Sequence, residues 1–318
     1  MMEDKSEFDI DLVYLWVDGL DPAWRKKRSR TLDLPLDDSS ANCKGRYANN
    51  DELKYSLRAV EKNIPWIRRI FIVTDNQVPE WLDVSNPKIQ IVDHSEILPS
   101  SVLPTFNSVV IEHRLHKIPG LAEHFLYSND DMFVNRPLSR ADFFNEDGYP
   151  VIRVLRRPFR KLSLWFSYRL LGKPIDNYKK TIENAARLVE KKYGRYVSDK
   201  GHHNVDAYCR SQYERVAEQI FKDEIDAMLP NRVRDDSDIQ RVIYSYVPIV
   251  EKKCKKIHAS KKTSIRADIH RSELFREVET LNPLFFCVND SEYASDEDRL
   301  RVARWLQDRY PEKSSFEK

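Results

Sequence analysis

Four short apolar runs in the first part of the chain each stop at polar or acidic residues, and this pattern constrains the fold more than any other feature. The runs are residues 10–17, 69–74, 88–92 and 125–128. They stop at Asp18, at Asp75, at Asp93, and at Asn129 followed by Asp130 and Asp131. Helical patterns lie between several of these runs, for example at residues 50–63. This alternation predicts an α/β fold with a mainly parallel sheet flanked by helices.

The acidic residues that end the strands are the first candidates for a functional site. Ligands of open parallel sheets bind outside the carboxyl ends of the strands, so Asp18, Asp75 and the Asp130–Asp131 pair are expected at one edge. Adjacent carboxylates repel each other and are costly to desolvate, and a divalent cation offsets that cost. Oxygen ligands suit Mg²⁺ or Mn²⁺. The alternative is an ordinary solvated turn, in which Asn and Asp are common.

Composition excludes several classes of protein. The chain of 318 residues is 41% apolar, enough for a large core in one domain or two. Its net charge is only +2, which does not favour general binding of nucleic acid. Only seven glycines occur, without a GxGxxG or Walker A sequence, so a glycine-rich phosphate loop is not expected.

Cysteine spacing and the N-terminal residues predict the compartment. The four cysteines show no CxxC spacing, which favours a reduced protein without a zinc site. The first eleven residues are polar and acidic, and no apolar run has the length of a membrane span. We therefore expect a cytoplasmic protein.

The second half of the sequence is richer in helical patterns. Helices are predicted at residues 176–193, 206–221, 236–247 and 296–309, and strands at 151–155 and 284–288. The last strand ends at Asn289 and Asp290. The sequence thus suggests three parts, which are residues 1–150, 151–280 and 281–318.

Several segments resemble the conserved blocks of the Stealth proteins. These are sugar-1-phosphate transferases, including bacterial capsular polysaccharide phosphotransferases and the lysosomal-enzyme GlcNAc-1-phosphotransferase. The first two blocks are matched by WVDG at 16–19, by RYANNDELKYSLRAVEKNIPWIRRIFIVTDNQVPEWL at 46–82 and by LPTFNSVVIEHRLHKIPGLAEHFLYSNDDMF at 103–133. The third and fourth are matched by GHH at 201–203, NRVRDDSDIQRVIYSY at 231–246 and NPLFFCVND at 282–290. The matches follow the order of the family.

The resemblance implies a GT-A or Rossmann-like α/β fold and a specific reaction. Hexose-1-phosphate would pass from a UDP-sugar to a hydroxyl of an acceptor glycan, giving a phosphodiester and UMP, in capsular or cell-surface polysaccharide synthesis. Residues 1–150 would then bind the nucleotide sugar, 151–280 would form the acceptor and catalytic portion, and 281–318 would return to the core.

Phosphoryl transfer relies on positioning and on charge stabilisation by a metal and cationic side chains, which assigns roles to the acidic residues. The predicted metal ligands are Asp130, Asp131 and Asp290. We also predict a catalytic role for Asp131. On the nucleotide-sugar side we expect four residues, namely Asp18, Gly19, Arg46 and Asp75.

Arg234 and His202 complete the expected catalytic set. Arg234 is expected to hold the transferring phosphate; the alternative is a surface ion pair with Asp238, four residues further on. His202 is the expected general base, because histidine suits neutral pH and it stands where the family has Gly-His. The neighbouring His203 remains an alternative. His113 and His116 are interpreted as packing and capping residues.

Two basic segments, residues 156–161 and 252–262, are usually just solvated faces. The sharper hypothesis is that they hold an anionic acceptor, or the headgroups of a lipid-linked glycan at the inner face of the membrane. Trp165, Phe166 and Tyr168 follow the first segment, and core packing is favoured for them over stacking on acceptor sugars.

Two other functions compete with phosphosugar transfer. A metal-dependent glycosyltransferase would have a similar donor site but would release UDP instead of UMP. A non-catalytic module that binds a nucleotide sugar or glycan would release neither nucleotide.

Overall fold

The computed structural model, which describes residues 8–33, 50–170, 172, 176–291 and 293–318, contains three β-sheets with surrounding helices. The strands are β1 (Ile10–Leu15), β2 (Ile70–Thr74), β3 (Ile89–Asp93), β4 (His124–Asn129), β5 (Met132–Val134), β6 (Val151–Leu155), β7 (Lys200–Gly201), β8 (Asp206–Cys209), β9 (Lys255–His258), β10 (Ser264–Asp268) and β11 (Phe285–Asn289). The helices are α1 (Pro22–Leu32), α2 (Glu52–Asn63), α3 (His94–Ile97), α4 (Ser108–Glu112), α5 (Arg160–Arg169), α6 (Asn177–Tyr193), α7 (Arg210–Arg215), α8 (Lys222–Met228), α9 (Ile243–Glu251), α10 (Ser272–Leu281) and α11 (Asp296–Arg309).

The largest sheet has the order β3-β2-β1-β4-β8, and its first four strands are parallel. β8 is antiparallel to β4. The chain builds outward from β1 to β3 and then returns to place β4 on the other side of β1. The carboxyl ends of β1 and β4 therefore flank a topological switch point, where such sheets bind ligands. The predicted α/β fold with a mainly parallel sheet is confirmed.

The two faces of this sheet are covered by different parts of the chain. Leu12 of β1 packs in a core cluster with Leu53 and Leu57 of α2. Val13 points to the opposite face, because side chains alternate along a strand, and it shares a cluster with Ile182 and Val247 from the second half. Burial on both faces explains why the strands read as continuous apolar runs.

The two small sheets bring late segments back to the first half. In one sheet, β11 pairs with β10 in parallel and with β5 in antiparallel orientation, so that Cys287 lies opposite Met132. This pairing sets the end of β11 beside the Asp130–Asp131 turn. In the other sheet, β6 lies between β7 and β9, and β7 leads directly into His202.

Two of the predicted helices differ from the structure. Residues 206–209 form the edge strand β8, because Ala207 and Tyr208 pair with β4 and are buried there. The helix begins only at α7 and continues as a π-helical turn, Val216–Ile220. The predicted helix at 236–247 is also displaced: α9 begins at Ile243.

The displaced start of α9 has a local cause in the side chain of Asp238, which is fully buried. It accepts hydrogen bonds from the Asp235 N–H at 2.9 Å and from the side-chain amides of Asn107 at 2.9 Å and Asn231 at 2.7 Å. Short acidic side chains that bond nearby backbone in this way compete with helix formation.

Among the described helices, none has the length and apolar character needed to cross a bilayer.

Candidate active site

Four carboxyl groups from three separate segments gather at the carboxyl edge of β4. Asp130 and Asp131 form the turn between β4 and β5 and are half-buried. The Asp131 carbonyl accepts from the Val288 N–H at 2.8 Å, and its Oδ2 accepts from the Cys287 thiol at 3.2 Å. These contacts tie the turn to β11, which ends next to Asp290.

Glu52, in the first turn of α2, is the fourth carboxyl group of this cluster. Its Oε1 accepts from the Asn50 side-chain amide at 2.7 Å, and the same amide reaches Asp290 Oδ2 at 3.5 Å. The buried Glu52 carboxylate also acts electrostatically on Asp131 and is acted on by Asp130. Glu52 was missed in the sequence, where the start of α2 carries only the pattern of a helix cap.

Burial and mutual repulsion raise the pKa of three of these carboxyl groups. Burial, followed by the charge of Asp131, raises the pKa of Asp130. Burial also raises the pKa of Asp131, against the lowering effect of the Cys287 hydrogen bond. For Glu52, burial and then the charge of Asp130 raise the pKa to about 7. Without a cationic partner, the ionised forms of these three carboxyl groups are therefore disfavoured.

The cluster fits a divalent cation only in part. Asp131 Oδ1 is buried and finds no hydrogen-bond partner within the described residues, as expected of an oxygen that serves a cation. Asp290, by contrast, receives two hydrogen bonds from the Arg299 guanidinium, at 2.8 Å and 3.0 Å. In the described part of the chain, no group of three or more His, Cys, Asp or Glu side chains forms a ready metal site.

A cavity of about 320 Å³ adjoins the acidic turn and contains the predicted catalytic residues of the second half. Asn129 and Met132, which flank Asp130 and Asp131 in sequence, are part of its lining. His202, His203 and Arg234 line it as well. The structure thus brings the histidines and Arg234 to the same end of the sheet as the acidic pair.

Arg234 is exposed and donates a hydrogen bond from Nη2 to Ser108 Oγ at 2.8 Å. The alternative ion pair with Asp238 is not formed, because that carboxylate is turned inward to the amides described above. Among the described residues, no carboxylate lies within ion-pair distance of the Arg234 guanidinium. Its charge is therefore directed to the cavity and to solvent.

His202 has the tautomer of a proton acceptor. Its Nε2 lies 3.2 Å from the Ser264 carbonyl oxygen, and since a carbonyl can only accept, Nε2 carries the proton. Nδ1 is then the basic nitrogen, and burial lowers the pKa of the ring, so the neutral form prevails near pH 7. Burial, then the nearby Arg266, lowers the pKa of His203 to about 4.

A polar network in the wall of the cavity, which includes the lining residues Glu112, Asp206 and Arg241, was not anticipated from the sequence. Arg241 donates to Asp206 Oδ2 at 2.8 Å and lies over the Tyr127 ring, 4.1 Å from its centroid. Tyr127 in turn donates to Glu112 Oε1 at 2.9 Å. The sequence feature that could have indicated this network is Arg241, a charged residue that lies between the apolar Ile239 and Val242 in the block at 231–246.

The residues expected on the nucleotide-sugar side lie at the ends of β1 and β2. The Asp18 N–H donates to Gln77 Oε1 at 2.9 Å, and Asp18 Oδ1 accepts from the Leu20 N–H at 2.9 Å across the buried Gly19. Asp75 forms an ion pair with Lys27, and its Oδ2 is buried with no hydrogen-bond partner in the described ranges. These residues share the sheet edge with the acidic pair but do not line the cavity. Arg46 lies outside the described residues.

The fold and the site together define the class of this protein. It is a mainly parallel α/β protein whose switch point carries an acidic turn, a guanidinium without a carboxylate partner among the described residues, and a basic histidine. Two family models match the chain: Stealth protein CR1, conserved region 1, at residues 8–33, and Stealth protein CR2, conserved region 2, at residues 46–152.

Curated relatives match over almost the whole chain. The exopolysaccharide phosphotransferase SCO6023 of Streptomyces coelicolor is 38% identical over 98% of this chain and 53% of its own length. The capsular polysaccharide phosphotransferase SacB of Neisseria meningitidis serogroup A is 34% identical over 99% of the chain and 58% of its own length. The chain thus spans only about half the length of these two relatives.

A relative of similar length settles the family. The capsular polysaccharide phosphotransferase LcbA of Aeromonas hydrophila is 33% identical over 96% of this chain and 85% of its own length. The chain therefore belongs to the Stealth family, together with these polysaccharide phosphotransferases. Among solved structures, galactosyltransferase LgtC in complex with donor and acceptor sugar analogues is similar over 96% of both chains, at 12% identity and a TM-score of 0.44.

Proposed function

We propose that this chain transfers hexose-1-phosphate from a UDP-sugar to a hydroxyl of an acceptor glycan, in the synthesis of a capsular or other cell-surface polysaccharide. The product is a phosphodiester, and UMP is released. One observation carries the proposal: in a member of this family, the Asp130–Asp131 turn with its unpartnered oxygen adjoins a cavity lined by Arg234 and His202.

Asp130 and Asp131 would hold Mg²⁺ or Mn²⁺, with Asp290 as a third ligand once its pair with Arg299 opens. A bound cation would supply charge neutralisation at the diphosphate of the donor. Asp18, Gly19, Arg46 and Asp75 would hold the nucleotide side of the donor. This division gives the acidic turn and the nucleotide-binding residues separate roles.

The residues that line the cavity carry the transfer step. The hydroxyl oxygen of the acceptor attacks the phosphorus bonded to the sugar, and the bond from that phosphorus to the bridging oxygen breaks, so that UMP leaves. Nδ1 of His202 accepts the hydroxyl proton. The Arg234 guanidinium holds the transferring phosphate, where loss of an arginine costs roughly 10³-fold or more in rate.

The experiment is incubation with a panel of UDP-sugars, Mg²⁺ or Mn²⁺ and a glycan acceptor, with identification of the released nucleotide. We expect UMP, and we expect Asp131→Asn to abolish its release. Asp308→Asn, an exposed aspartate on α11, is the matched control and keeps full activity. Release of UDP would establish a glycosyltransferase instead, and absence of any turnover would establish a binding module.

We also propose that the acceptor glycan is lipid-linked and is reached at the cytoplasmic face of the membrane, with the basic segments near the lipid phosphates. Lys252 and Lys255 are exposed, whereas Lys256 is paired with Asp199 at 2.9 Å. Reversal of charge at Lys252, Lys253, Lys255 and Lys256 is expected to raise KM for a lipid-linked acceptor without changing KM for the free glycan. An equal effect on both acceptors would contradict this assignment.

A further inference from the structure

Helix α5 and the residues that flank it expose an unusual number of large apolar side chains. We call this the α5 surface; its exposed apolar members are Phe159, Leu162, Trp165, Phe166, Tyr168 and Leu170. Phe159 is 73% exposed and Trp165 is 55% exposed. The prediction that Trp165, Phe166 and Tyr168 pack in the core is therefore wrong.

The way in which α5 is attached explains why its apolar side chains face outward. Arg160 makes the inward contacts: its Nη2 donates to the Val197 carbonyl at 2.8 Å, and its guanidinium lies 5.3 Å from the ring centroid of Tyr196. Lys161 adds an ion pair with Glu190 of α6 at 2.6 Å. Cationic side chains hold the helix on the body of the protein, which leaves the apolar ones in solvent.

The α5 surface is also strongly basic. Residues 156–168 contain four arginines and lysines and no aspartate or glutamate. The second basic segment is adjacent, because Asp199 accepts from the Arg157 N–H at 3.4 Å and from Lys256 Nζ at 2.9 Å. Basic side chains from two segments therefore border the same apolar patch.

We propose that the α5 surface docks the protein on an anionic lipid bilayer. Aromatic and aliphatic side chains on an exposed helix enter the boundary between headgroups and acyl chains, while arginine and lysine bind lipid phosphates. A second copy of the chain is a poorer occupant, since pairing two such surfaces would bring like charges together. Charge and apolar character together select a negatively charged membrane.

Docking in this orientation has a consequence for the cavity. α6 follows α5 within a few residues, and its first residues, Asn177 and Tyr178, line the cavity. Lys200, which precedes the His202 loop, lies with Nζ 5.1 Å from the Tyr178 ring centroid. The cavity then lies close to the lipid headgroups, where a lipid-linked acceptor is presented; this last point rests on the proposed function.

The test is co-sedimentation of the full chain with vesicles, without any nucleotide sugar. Vesicles of phosphatidylcholine mixed with phosphatidylglycerol are compared with vesicles of phosphatidylcholine alone. We expect binding to the anionic vesicles that weakens with salt. Trp165 emission is expected to shift to the blue on binding, and Trp165→Phe should lose that shift while it still binds.

Matched variants distinguish specific binding through the α5 surface from nonspecific adsorption of the protein to vesicles. Phe159→Ser with Trp165→Ser is expected to lower the partition coefficient by roughly tenfold or more. Arg156→Glu with Arg157→Glu is expected to do the same, at about fivefold or more per charge. The controls are Leu300→Ser and Arg304→Glu on α11, both exposed positions, which should bind as the wild type does.

Two results would overturn the docking proposal. One is that the wild type fails to bind the anionic vesicles. If the wild type also self-associates and Trp165→Ser abolishes that self-association, the α5 surface is an interface between copies of the chain instead. The other is that the α5 variants bind as well as the controls. UMP release with a free glycan acceptor is measured separately. A wild-type protein that releases UMP but does not bind the anionic vesicles refutes docking alone. A wild-type protein that binds the vesicles but releases no UMP refutes the proposed function alone.

Discussion

At the scale of single residues, the candidate site depends on groups whose pKa differs from that of the free side chain. His202 is held neutral with its basic nitrogen free, whereas Glu52, Asp130 and Asp131 resist ionisation because they are buried together. A base and an acidic cluster at one sheet edge could divide the chemistry between them, since the base accepts a proton and the carboxylates would hold a cation that neutralises phosphate charge.

The choice between the two adjacent histidines can be tested directly. We expect His202→Ala to lower kcat by roughly 10²-fold or more, because a positioned base contributes that much to rate. His203→Ala is the matched control and should retain most of the activity, since the pKa of about 4 leaves its ring a weak base. Measurement of UMP release at saturating donor decides; the opposite order of the two variants would assign the base to His203.

Glu52 gives a prediction about stability and pH. The pKa of this carboxyl group is about 7 in the folded protein, against an ordinary value of 4.5. The folded state therefore binds the proton more tightly, so its stability falls as the pH rises from about 4.5 to about 7. Glu52→Gln should remove this loss and raise the free energy of unfolding at pH 7.5 by on the order of 3 kcal/mol.

Urea unfolding in the presence of a metal chelator measures the Glu52 effect. The difference between Glu52→Gln and the wild type should shrink towards zero near pH 5. Glu297→Gln, at an exposed position on α11, should show no such dependence. A difference that stays constant with pH would mean that the Glu52 carboxyl group is not protonated preferentially in the folded state.

At the scale of helices and strands, the buried parallel strands were predictable and the elements defined by distant partners were not. β1 to β4 stand out because their side chains are buried on both faces. β8 has four residues whose strand identity comes from pairing with β4. α9 starts late because the Asp238 side chain binds the nearby Asp235 N–H and the amide of the distant Asn107. Likewise, Asp130 and Asp131 were visible at a strand end, but Glu52 and Arg241 gain their roles only from residues far along the chain.

Asp238 provides a test of how one side chain shapes the segment before α9. Asp238→Ala removes the acceptor of the Asp235 N–H and one acceptor from each of the Asn107 and Asn231 side-chain amides, and we expect a loss of about 3 kcal/mol in the free energy of unfolding. Asp236→Ala, which removes only a surface ion pair with Lys180, should cost less than about 1 kcal/mol. Equal losses in denaturant unfolding would contradict this account.

At the scale of the whole molecule, late segments complete what the first half begins. β11 binds β5 beside the acidic turn, and α11 packs Val302 and Leu306 against the cluster that contains Phe133. Glu317 pairs with Arg58 of α2 through two hydrogen bonds of 2.7 Å, and both side chains are almost fully buried. The helix that carries Glu52 is therefore held near its middle, at Arg58, by Glu317.

This long-range pair predicts a large effect for a residue outside the site. Glu317→Ala leaves the buried Arg58 guanidinium without its carboxylate and with only backbone carbonyls as acceptors, and we expect a loss of roughly 3–5 kcal/mol in the free energy of unfolding. Glu312→Ala, an exposed neighbour, should be nearly neutral. Guanidinium chloride unfolding compares the two, and a small loss for Glu317→Ala would mean that water replaces the carboxylate.

The pairing of β5 with β11 also determines when the acidic cluster can form during synthesis of the chain. A ribosome that has translated only as far as β9 has released the Asp130–Asp131 turn, but not Cys287, Asp290 or Arg299, which surround it in the finished molecule. The nascent chain therefore carries an incomplete acidic cluster until nearly all of these residues have emerged from the exit tunnel. On the proposed function, we expect a truncation that ends at β9 to release no UMP.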